Sequence, residues 1–215
     1  MYTPDPFRVD DPAALPKFIA GHALGSLVAT SDGEFLANHI PMIWRATPEG
    51  PGVLHGHVAK ANPLWRILPP DARVLVIFHG AAQYISPSLY PDVGLAQREI
   101  LPTWNYSVVH AHGSIRFLDS RATALRNVSD LAREFEKTRY VPWSVNDADA
   151  SFIEALLDRI VPFEIAISRF AGKFKASQQR PAAEREFVAR SLRREGLRDA
   201  EVADLIRSPA RDALE

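Results

Sequence analysis

Short runs of apolar and β-branched residues, separated by turn-forming residues, dominate the chain. They predict six strands, over residues 26–30, 35–44, 53–59, 73–86, 104–118 and 163–177, with a turn at Ser31-Asp32-Gly33. The run over 73–86 is apolar enough to predict a strand buried on both faces. Because the gaps between the early strands are too short for crossover helices, we expect antiparallel pairing.

Helical spacing of apolar residues predicts helices over residues 12–21, 62–68, 121–137 and 152–160. A charged helical segment follows over 182–207 and breaks at Gly196. In the helix over 121–137, the predicted core-facing stripe is Leu125, Val128, Leu131, Ala132 and Phe135. These elements predict an α+β fold, a small antiparallel β-barrel of six strands with peripheral helices. We place the barrel domain at residues 1–180 and a C-terminal helical extension at 181–215.

The amino-acid composition is that of a globular domain and excludes several kinds of site. The 215 residues are 47% hydrophobic and 24% charged, which is ordinary for a globular domain, and the net charge of −1 gives no general attraction to nucleic acid. The absence of cysteine excludes disulfides, thiolate metal sites and cysteine nucleophiles. With no signal-like start and no apolar run near about 20 residues, we expect a soluble, cytoplasmic protein that does not enter membranes.

Several kinds of site find little support. His55 and His57 share a strand face, as do His110 and His112, but neither pair includes an acidic residue that would complete a metal site, so no metal is expected. Ser86 lacks the glycines of a nucleophile elbow, and the strand region has no paired carboxylates. No glycine-rich dinucleotide or nucleotide loop occurs.

One corner suits a phosphate monoester. In His57-Val58-Ala59-Lys60-Ala61-Asn62-Pro63, a strand end, a lysine and a helix N-terminus fall within a few residues. Free backbone amides, the positive end of a helix and an ammonium group would together attract phosphate. The same residues also fit a simple capped helix with a solvated lysine, and both interpretations stay open.

Two further segments have residues that suit a flat heteroaromatic ring. Thr103-Trp104-Asn105-Tyr106 combines aromatic faces with polar edges, although core packing would also explain it. Residues 172–180 add the cation of Lys173 and the polar side chains of Ser177 and Gln178, which an ordinary basic loop would also contain.

In this order along the chain, these segments resemble the PaiB-type FMN-binding negative transcriptional regulators, within the FMN-binding split-barrel superfamily. The resemblance rests on residues 1–4, 37–41, 55–63, 76–80, 84–87, 102–106, 109–113 and 173–178. It implies a split barrel, a homodimer, and FMN held in clefts at the subunit interface.

The resemblance also implies positions for the cofactor. The phosphate is expected near His57, Val58, Lys60 and Asn62, and the ring system beside Thr30 and His39. Thr103, Trp104 and Asn105, together with Lys173, Ser177 and Gln178, are expected as further walls from either subunit.

Three roles follow from the resemblance. A regulator could act on transcription through DNA or a partner protein. Residues 169–198 hold nine Lys or Arg against three Glu, and Glu195-Gly196-Leu197 lies between two helices, which loosely suggests a helix-turn-helix. An amphipathic helical pair that covers the barrel is the favoured interpretation of the same residues. The alternatives are an FMN-dependent oxidoreductase using NAD(P)H, for which no catalytic residue is identified, and a haem-binding split barrel.

Overall fold

The structure is a computed structural model that describes residues 1–9, 11, 13–90, 100–194 and 200–207. The chain forms two compact units. Unit 1 comprises Met1–Phe18, His79–Val109 and Ala171–Glu215, and unit 2 comprises Ile19–Phe78 and His110–Phe170. The boundary expected between residues 180 and 181 stays a prediction.

The strands form one sheet in which every recorded register is antiparallel. They are β1 Arg8–Val9, β2 Leu24–Ser31, β3 Glu34–Pro41, β4 Ile43–Arg45, β5 Val53–Ala59, β6 Ala72–Ile85, β7 Thr103–Phe117 and β8 Ile160–Lys175. The order is β3-β2-β6-β7-β8-β5-β4, and β1 pairs with β8. The α+β class and the antiparallel pairing are therefore confirmed.

The described part of the chain has eight strands, where the sequence predicts six. The predicted run 35–44 divides at Met42, whose N–H leaves the ladder and donates to the carbonyl of Ala23 at 2.9 Å. The other additional strand, β1, is two residues long and too short to give a periodic signal. The expectation that 73–86 is buried on both faces is wrong, because β6 buries alternate residues such as Val74, Val76 and Phe78, as a strand packed on one face does.

A tight hairpin joins β2 to β3 and confirms the predicted turn. Asp32 and Gly33 have φ angles of 51° and 83°, and Ser31 pairs with Glu34. Positive φ at both central residues defines a type I′ turn, which Asp-Gly favours. The turn thereby fixes which residues of β2 and β3 lie opposite each other, including Ser26 and His39.

Six α-helices accompany the sheet in the described ranges: α1 Ala14–Gly21, α2 Leu64–Ile67, α3 Arg121–Glu136, α4 Ala150–Leu157, α5 Ala182–Arg194 and α6 Ala200–Arg207. The stripe predicted for α3 is partly wrong, because Ala124, Asn127 and Leu131 are buried while Leu125 and Phe135 are 41% and 40% exposed. None of the helices in the described segments is long and apolar enough to cross a bilayer.

Each unit has its own buried centre. In unit 2 the largest fully buried side chains include Phe78, Leu54, Ile115, Phe163 and Ile165. In unit 1, α5 and α6 bury one face against residues of β6 and the segment after it, and the cluster contains Ala81, Ile85, Leu89, Tyr90, Ile100, Ala176, Val188, Ala189, Leu192, Val202, Ala203 and Ile206. The turn predicted at Glu195-Gly196-Leu197 lies outside the described residues.

Candidate functional site

The predicted site residues fall into two groups, one in each unit. In unit 2 they lie at the β5 corner, which we define as residues 57–62 together with Asn38, and on the neighbouring β2–β3 hairpin. In unit 1 they lie on β7, on β8 and just after β8. We term the neighbouring surface the β8 patch and define it as Tyr84 of β6, Thr103, Trp104 and Tyr106 of β7, and Lys173 and Lys175 of β8.

Lys60 is an exposed cation that follows β5 directly. Its backbone N–H donates to the carbonyl of Arg159 at 2.7 Å, which fixes the chain at this point. No carboxylate of the described chain lies within ion-pair distance of its ammonium group. The ammonium is therefore available to an external anion.

The backbone N–H groups and the helix N-terminus, also expected to bind phosphate at the β5 corner, are not available for it. The N–H of Lys60 is used by Arg159, and the N–H of Asn62 donates to the carbonyl of Ala59 at 2.8 Å. Helix α2 has only four residues, so it builds little of the dipole that a long helix accumulates. The prediction that the N–H groups of Lys60 and Asn62 and the N-terminus of α2 bind phosphate is therefore wrong. Side chains are the remaining donors at this corner.

Two asparagine side chains brace the β5 corner. Asn62 Nδ2 donates to Asn38 Oδ1 at 2.7 Å, while Asn62 Oδ1 accepts from the N–H of Leu64 at 3.0 Å. The second bond ties Asn62 to the first residue of α2, although the residue at the N-cap position is Pro63 and not the predicted Asn62. Both amide atoms of Asn62 are thus engaged, whereas no residue that the structure describes accepts a hydrogen bond from the side-chain N–H groups of Asn38. Sequence reasoning omits Asn38 from the site, although it stands next to the predicted His39.

The imidazole of His57 is held by a residue of α3. Its Nδ1 lies 2.8 Å from Oδ1 of Asn127, a buried side chain. Because an amide oxygen only accepts, Nδ1 carries the proton and Nε2 of the neutral ring is left as an acceptor. Sequence reasoning misses Asn127 as a site residue, and its only signal is a polar residue on an amphipathic helix. The side chain of Val58 is buried, so this residue could face a ligand only through its backbone.

Thr30 and His39 lie on the exposed surface of the β2–β3 hairpin. His39 Nδ1 and Ser26 Oγ are 2.9 Å apart across the two strands. Thr30 borders a cleft of about 270 Å³ that is also lined by Arg73 and His112. Burial, followed by the nearby charge of Arg169, lowers the pKa of His112, which keeps this imidazole neutral at physiological pH.

Two lysines and several aromatic rings meet at the β8 patch. Lys175 Nζ donates to Thr103 Oγ1 and, at 2.8 Å, to the carbonyl of Trp104. Burial lowers the pKa of Lys175, the neighbouring Tyr106 offsets part of this effect, and the like charge of Lys173 lowers the pKa further. Lys173 Nζ lies 5.4 Å from the centre of the Tyr106 ring. The sequence indicates Lys175 only as part of a basic segment, and its bonds to Thr103 and Trp104 could not be inferred from spacing.

The Trp104 side chain is 55% exposed, so core packing does not explain it. It forms an edge-to-face pair with Tyr84, with ring centres 6.0 Å apart, and Tyr84 is itself 45% exposed. Exposed rings of this size offer a surface on which a flat heteroaromatic group can stack.

Asn105, Ser177 and Gln178 act as braces beneath the β8 patch. Asn105 is fully buried and its Nδ2 donates to Ser177 Oγ at 2.9 Å. Gln178 Oε1 accepts from the N–H of Ala176 at 2.7 Å, and Gln178 Nε2 donates to the carbonyl of Phe174. These three side chains hold the end of β8 in place. Across the described ranges, no three His, Cys, Asp or Glu side chains are grouped as a metal site would require.

Comparison with known proteins identifies the family. The family model described as "Putative FMN-binding domain" matches residues 1–169. The chain is 33% identical over 227 aligned positions to an uncharacterised protein of Aspergillus fumigatus, covering 85% of this chain and 87% of that protein. It is 31% identical over 180 positions to Protease synthase and sporulation protein PAI 2 of Bacillus subtilis, covering 84% and 83%.

The fold is also similar to that of solved flavin-binding structures. The FAD and haem binding protein of Mycobacterium smegmatis matches with a TM-score of 0.54 over 78% of this chain and 73% of that one, at 13% identity. The predicted split barrel is confirmed by such neighbours, and the cofactor that the family implies is a flavin. The chain therefore belongs to the PaiB-type family of FMN-binding domains.

Proposed function

We propose that this protein binds FMN as a homodimer, with the phosphate held at the β5 corner of one protomer and the ring system beside the β8 patch of the other. The observation that carries the proposal is the exposed ammonium of Lys60, which stands on a fixed strand end without a carboxylate partner in the described chain. A phosphate dianion would supply the missing charge. FMN, rather than a larger flavin, is the cofactor in the family's description.

The donors present at the two groups fit the two ends of FMN. The β5 corner offers an ammonium from Lys60 and an amide from Asn38, which suit phosphate oxygens. His57 offers a lone pair at Nε2, which suits a hydroxyl or N–H donor. The β8 patch offers exposed aromatic faces and two cations, which suit a flat heteroaromatic ring with polar edges. When bound, the flavin would supply hydride and electron transfer.

A homodimer would cover apolar surface that a single protomer leaves in water. Trp104 and Tyr84 are exposed, and Leu101, which lies shortly before β7, is 79% exposed. Exposed apolar residues that cluster along the sequence in this way are typical of protein interfaces. Because most closed homo-oligomers are two-fold dimers, one such surface would occur twice in the same interface.

The phosphate assignment is tested by charge reversal. Lys60→Glu is expected to weaken FMN binding by more than tenfold, because a charge-assisted hydrogen bond contributes about 1.5–3 kcal/mol and repulsion adds to its loss. Lys17→Glu is the matched control, since Lys17 is an exposed lysine on α1. The measurement is quenching of flavin fluorescence on titration. Equal losses in both variants would overturn the assignment, and a colourless wild-type protein that rejects FMN would end the proposed function.

The shared site is tested by mixing two defective variants. Lys60→Glu and Trp104→Ala are each expected to bind FMN poorly as homodimers. If the two residues serve the same site from different protomers, a heterodimer of the two variants has one intact site and one site with both defects. Co-expression with two affinity tags should then restore FMN binding to the heterodimer. Failure to restore it would show that the residues act from the same protomer.

We further propose that the protein acts as a regulatory flavoprotein, a role that fits the sporulation protein among its relatives. Direct DNA contact by α5 and α6 is not favoured, because Arg190 and Arg207 pair with Glu186, and Arg193 pairs with Asp204. A protein partner is the better candidate. Steady NAD(P)H oxidation with an added acceptor would instead favour the oxidoreductase alternative. His112 gives little support to the haem alternative, because its Nε2 atom is buried and cannot reach a haem iron without a rearrangement.

A further inference from the structure

The two lysines of the β8 patch are not balanced by acidic groups in the described part of the chain. Lys175 Nζ contacts only neutral oxygen atoms, those of Thr103 and the Trp104 carbonyl. Lys173 Nζ contacts the Tyr2 carbonyl at 3.3 Å and lies over the rings of Tyr2 and Tyr106. Neither lysine forms an ion pair among these residues. The surface therefore keeps two positive charges together.

Such an arrangement is unfavourable in the protein alone. Lys173 and Lys175 are two residues apart on β8, so their side chains leave the same face of the strand about 7 Å apart along it. Both are only partly exposed, and like charges at this distance repel. Uncompensated charges that are partly removed from water are characteristic of sites that bind an opposite charge.

The neighbouring rings indicate the shape of that ligand. Trp104, whose carbonyl accepts from Lys175, exposes its indole to solvent beside the exposed ring of Tyr84. A planar group that stacked on this aromatic pair would lie in the same patch as the two ammonium groups. The ligand best suited to the β8 patch is thus a flat ring that carries negative charge.

We infer that the β8 patch binds reduced flavin more tightly than oxidised flavin. This inference rests on the proposed function, because it requires that the ring of bound FMN lies beside the patch. When a hydride donor such as a nicotinamide nucleotide transfers two electrons and one proton to N5 of oxidised flavin, the ring gains one negative charge and the nicotinamide leaves oxidised. The two ammonium groups stabilise that charge, so no second proton is needed.

A preference of this kind appears as a raised reduction potential. The ratio of the two dissociation constants sets the difference between the potentials of bound and free FMN. For a two-electron couple, a tenfold preference corresponds to about 30 mV. We expect a preference of at least tenfold in the wild-type protein. We also expect the reduction potential of bound FMN to depend on pH with the slope of a couple that takes up one proton for every two electrons.

The test compares lysine variants of the full-length holoprotein. Lys175→Met and Lys173→Met should each lower the potential of bound FMN, with a loss of at least threefold in the preference for reduced flavin. Affinity for oxidised FMN should change less. Lys175→Arg should restore most of the preference, and Lys17→Met is the control for an exposed lysine outside the patch. The probe is FMN itself, reduced by dithionite without oxygen and equilibrated with indicator dyes.

The outcomes separate this inference from the proposed function. If the wild-type protein binds no FMN, both fall together. If it binds FMN with the potential of the free cofactor, or if neither methionine variant lowers the potential, the inference fails while the phosphate assignment stands. Should Lys175→Met not fold, Lys173→Met still tests the charge effect, because Lys173 makes no side-chain hydrogen bond to β7.

Discussion

Asn105 Nδ2 donates to Ser177 Oγ at 2.9 Å, and both side chains are buried. The bond joins residues that are 72 positions apart in sequence, one in β7 and the other just after β8. Ser177 has a φ of 59°, a left-handed conformation that is costly for a residue with a side chain. A buried hydrogen bond therefore holds a residue with a strained backbone in place just after β8.

Breaking this bond should destabilise the protein. Asn105→Ala leaves the Ser177 hydroxyl buried without its partner, and we expect the free energy of unfolding to fall by about 1–3 kcal/mol. Ser177→Gly should cost less than Ser177→Ala, because both lose the bond but only glycine relieves the positive φ. Urea denaturation measures all three. Equal losses for the glycine and alanine variants would contradict the strain.

We expect Asn127 to influence FMN affinity only by holding the His57 imidazole in place. Asn127→Ala frees the imidazole, so we expect FMN affinity to fall about threefold to tenfold, as for the loss of one hydrogen bond. His57→Ala should fall at least as far. A double-mutant cycle is the measurement, since the double variant should bind no worse than His57→Ala. Additive losses would show that Asn127 acts independently.

Gly113 should tolerate no side chain. A Cβ atom there would lie 2.4 Å from the carbonyl oxygen of Ala166 and 2.8 Å from Cγ2 of Ile165, and the backbone oxygen cannot move aside cheaply. We expect Gly113→Ala to lower the free energy of unfolding by about 1–3 kcal/mol. Gly21→Ala is the matched control, because nothing lies within 4 Å of its added Cβ atom. Thermal or urea unfolding should separate the two clearly.

Acid should weaken the fold through His55. Burial lowers the pKa of His55, and the charge of Glu164 offsets part of this effect. As pH falls through about 6.5, the unfolded chain binds a proton at this residue before the folded chain does, so the free energy of unfolding declines until the lower folded pKa is passed. His55→Gln should flatten this decline between about pH 7.5 and pH 5.5. His79→Gln, at an exposed position, is the control substitution.

The α5–α6 pair should not bind DNA directly. Arg190 donates to Glu186 at 2.7 Å, and Arg193 pairs with Asp204, so their charges are largely neutralised locally. We expect no salt-dependent gel shift of sheared genomic duplex by the wild-type protein. A shift that the triple variant Arg190→Ala, Arg193→Ala, Arg194→Ala abolished would contradict this expectation and restore the helix-turn-helix interpretation.

Local signals in the sequence predict much of the fold. The Asp32-Gly33 turn and the strand over 53–59 depend on neighbouring residues, and the structure places both as expected. The strand end that precedes Lys60 is also predicted from neighbouring residues. The sequence does not show that the N–H groups of Lys60 and Asn62 donate to backbone carbonyls. Periodicity could not show which side of α3 packs inward, because the burial of Asn127 depends on a bond to His57, 70 residues earlier.

The site is less predictable than the fold. The sequence suggests Asn105 and Ser177 as ligand contacts, yet each is the other's partner across 72 positions. The role of Lys175 likewise depends on Thr103 and Trp104, which lie on another strand. Pairings of this kind follow from strand order, which the pattern of a single sequence does not encode.

The manner in which Lys60 offers its charge has a consequence for how FMN is gained and lost. An exposed lysine side chain leaves a bound anion open to solvent, whereas a ring of backbone amides would enclose the anion. Under the proposed function, bound FMN should therefore exchange readily with free FMN. Dialysis against inorganic phosphate or high salt should remove FMN, and the protein should lose its yellow colour. Such a protein would sample the supply of free flavin around it instead of keeping one molecule for its lifetime.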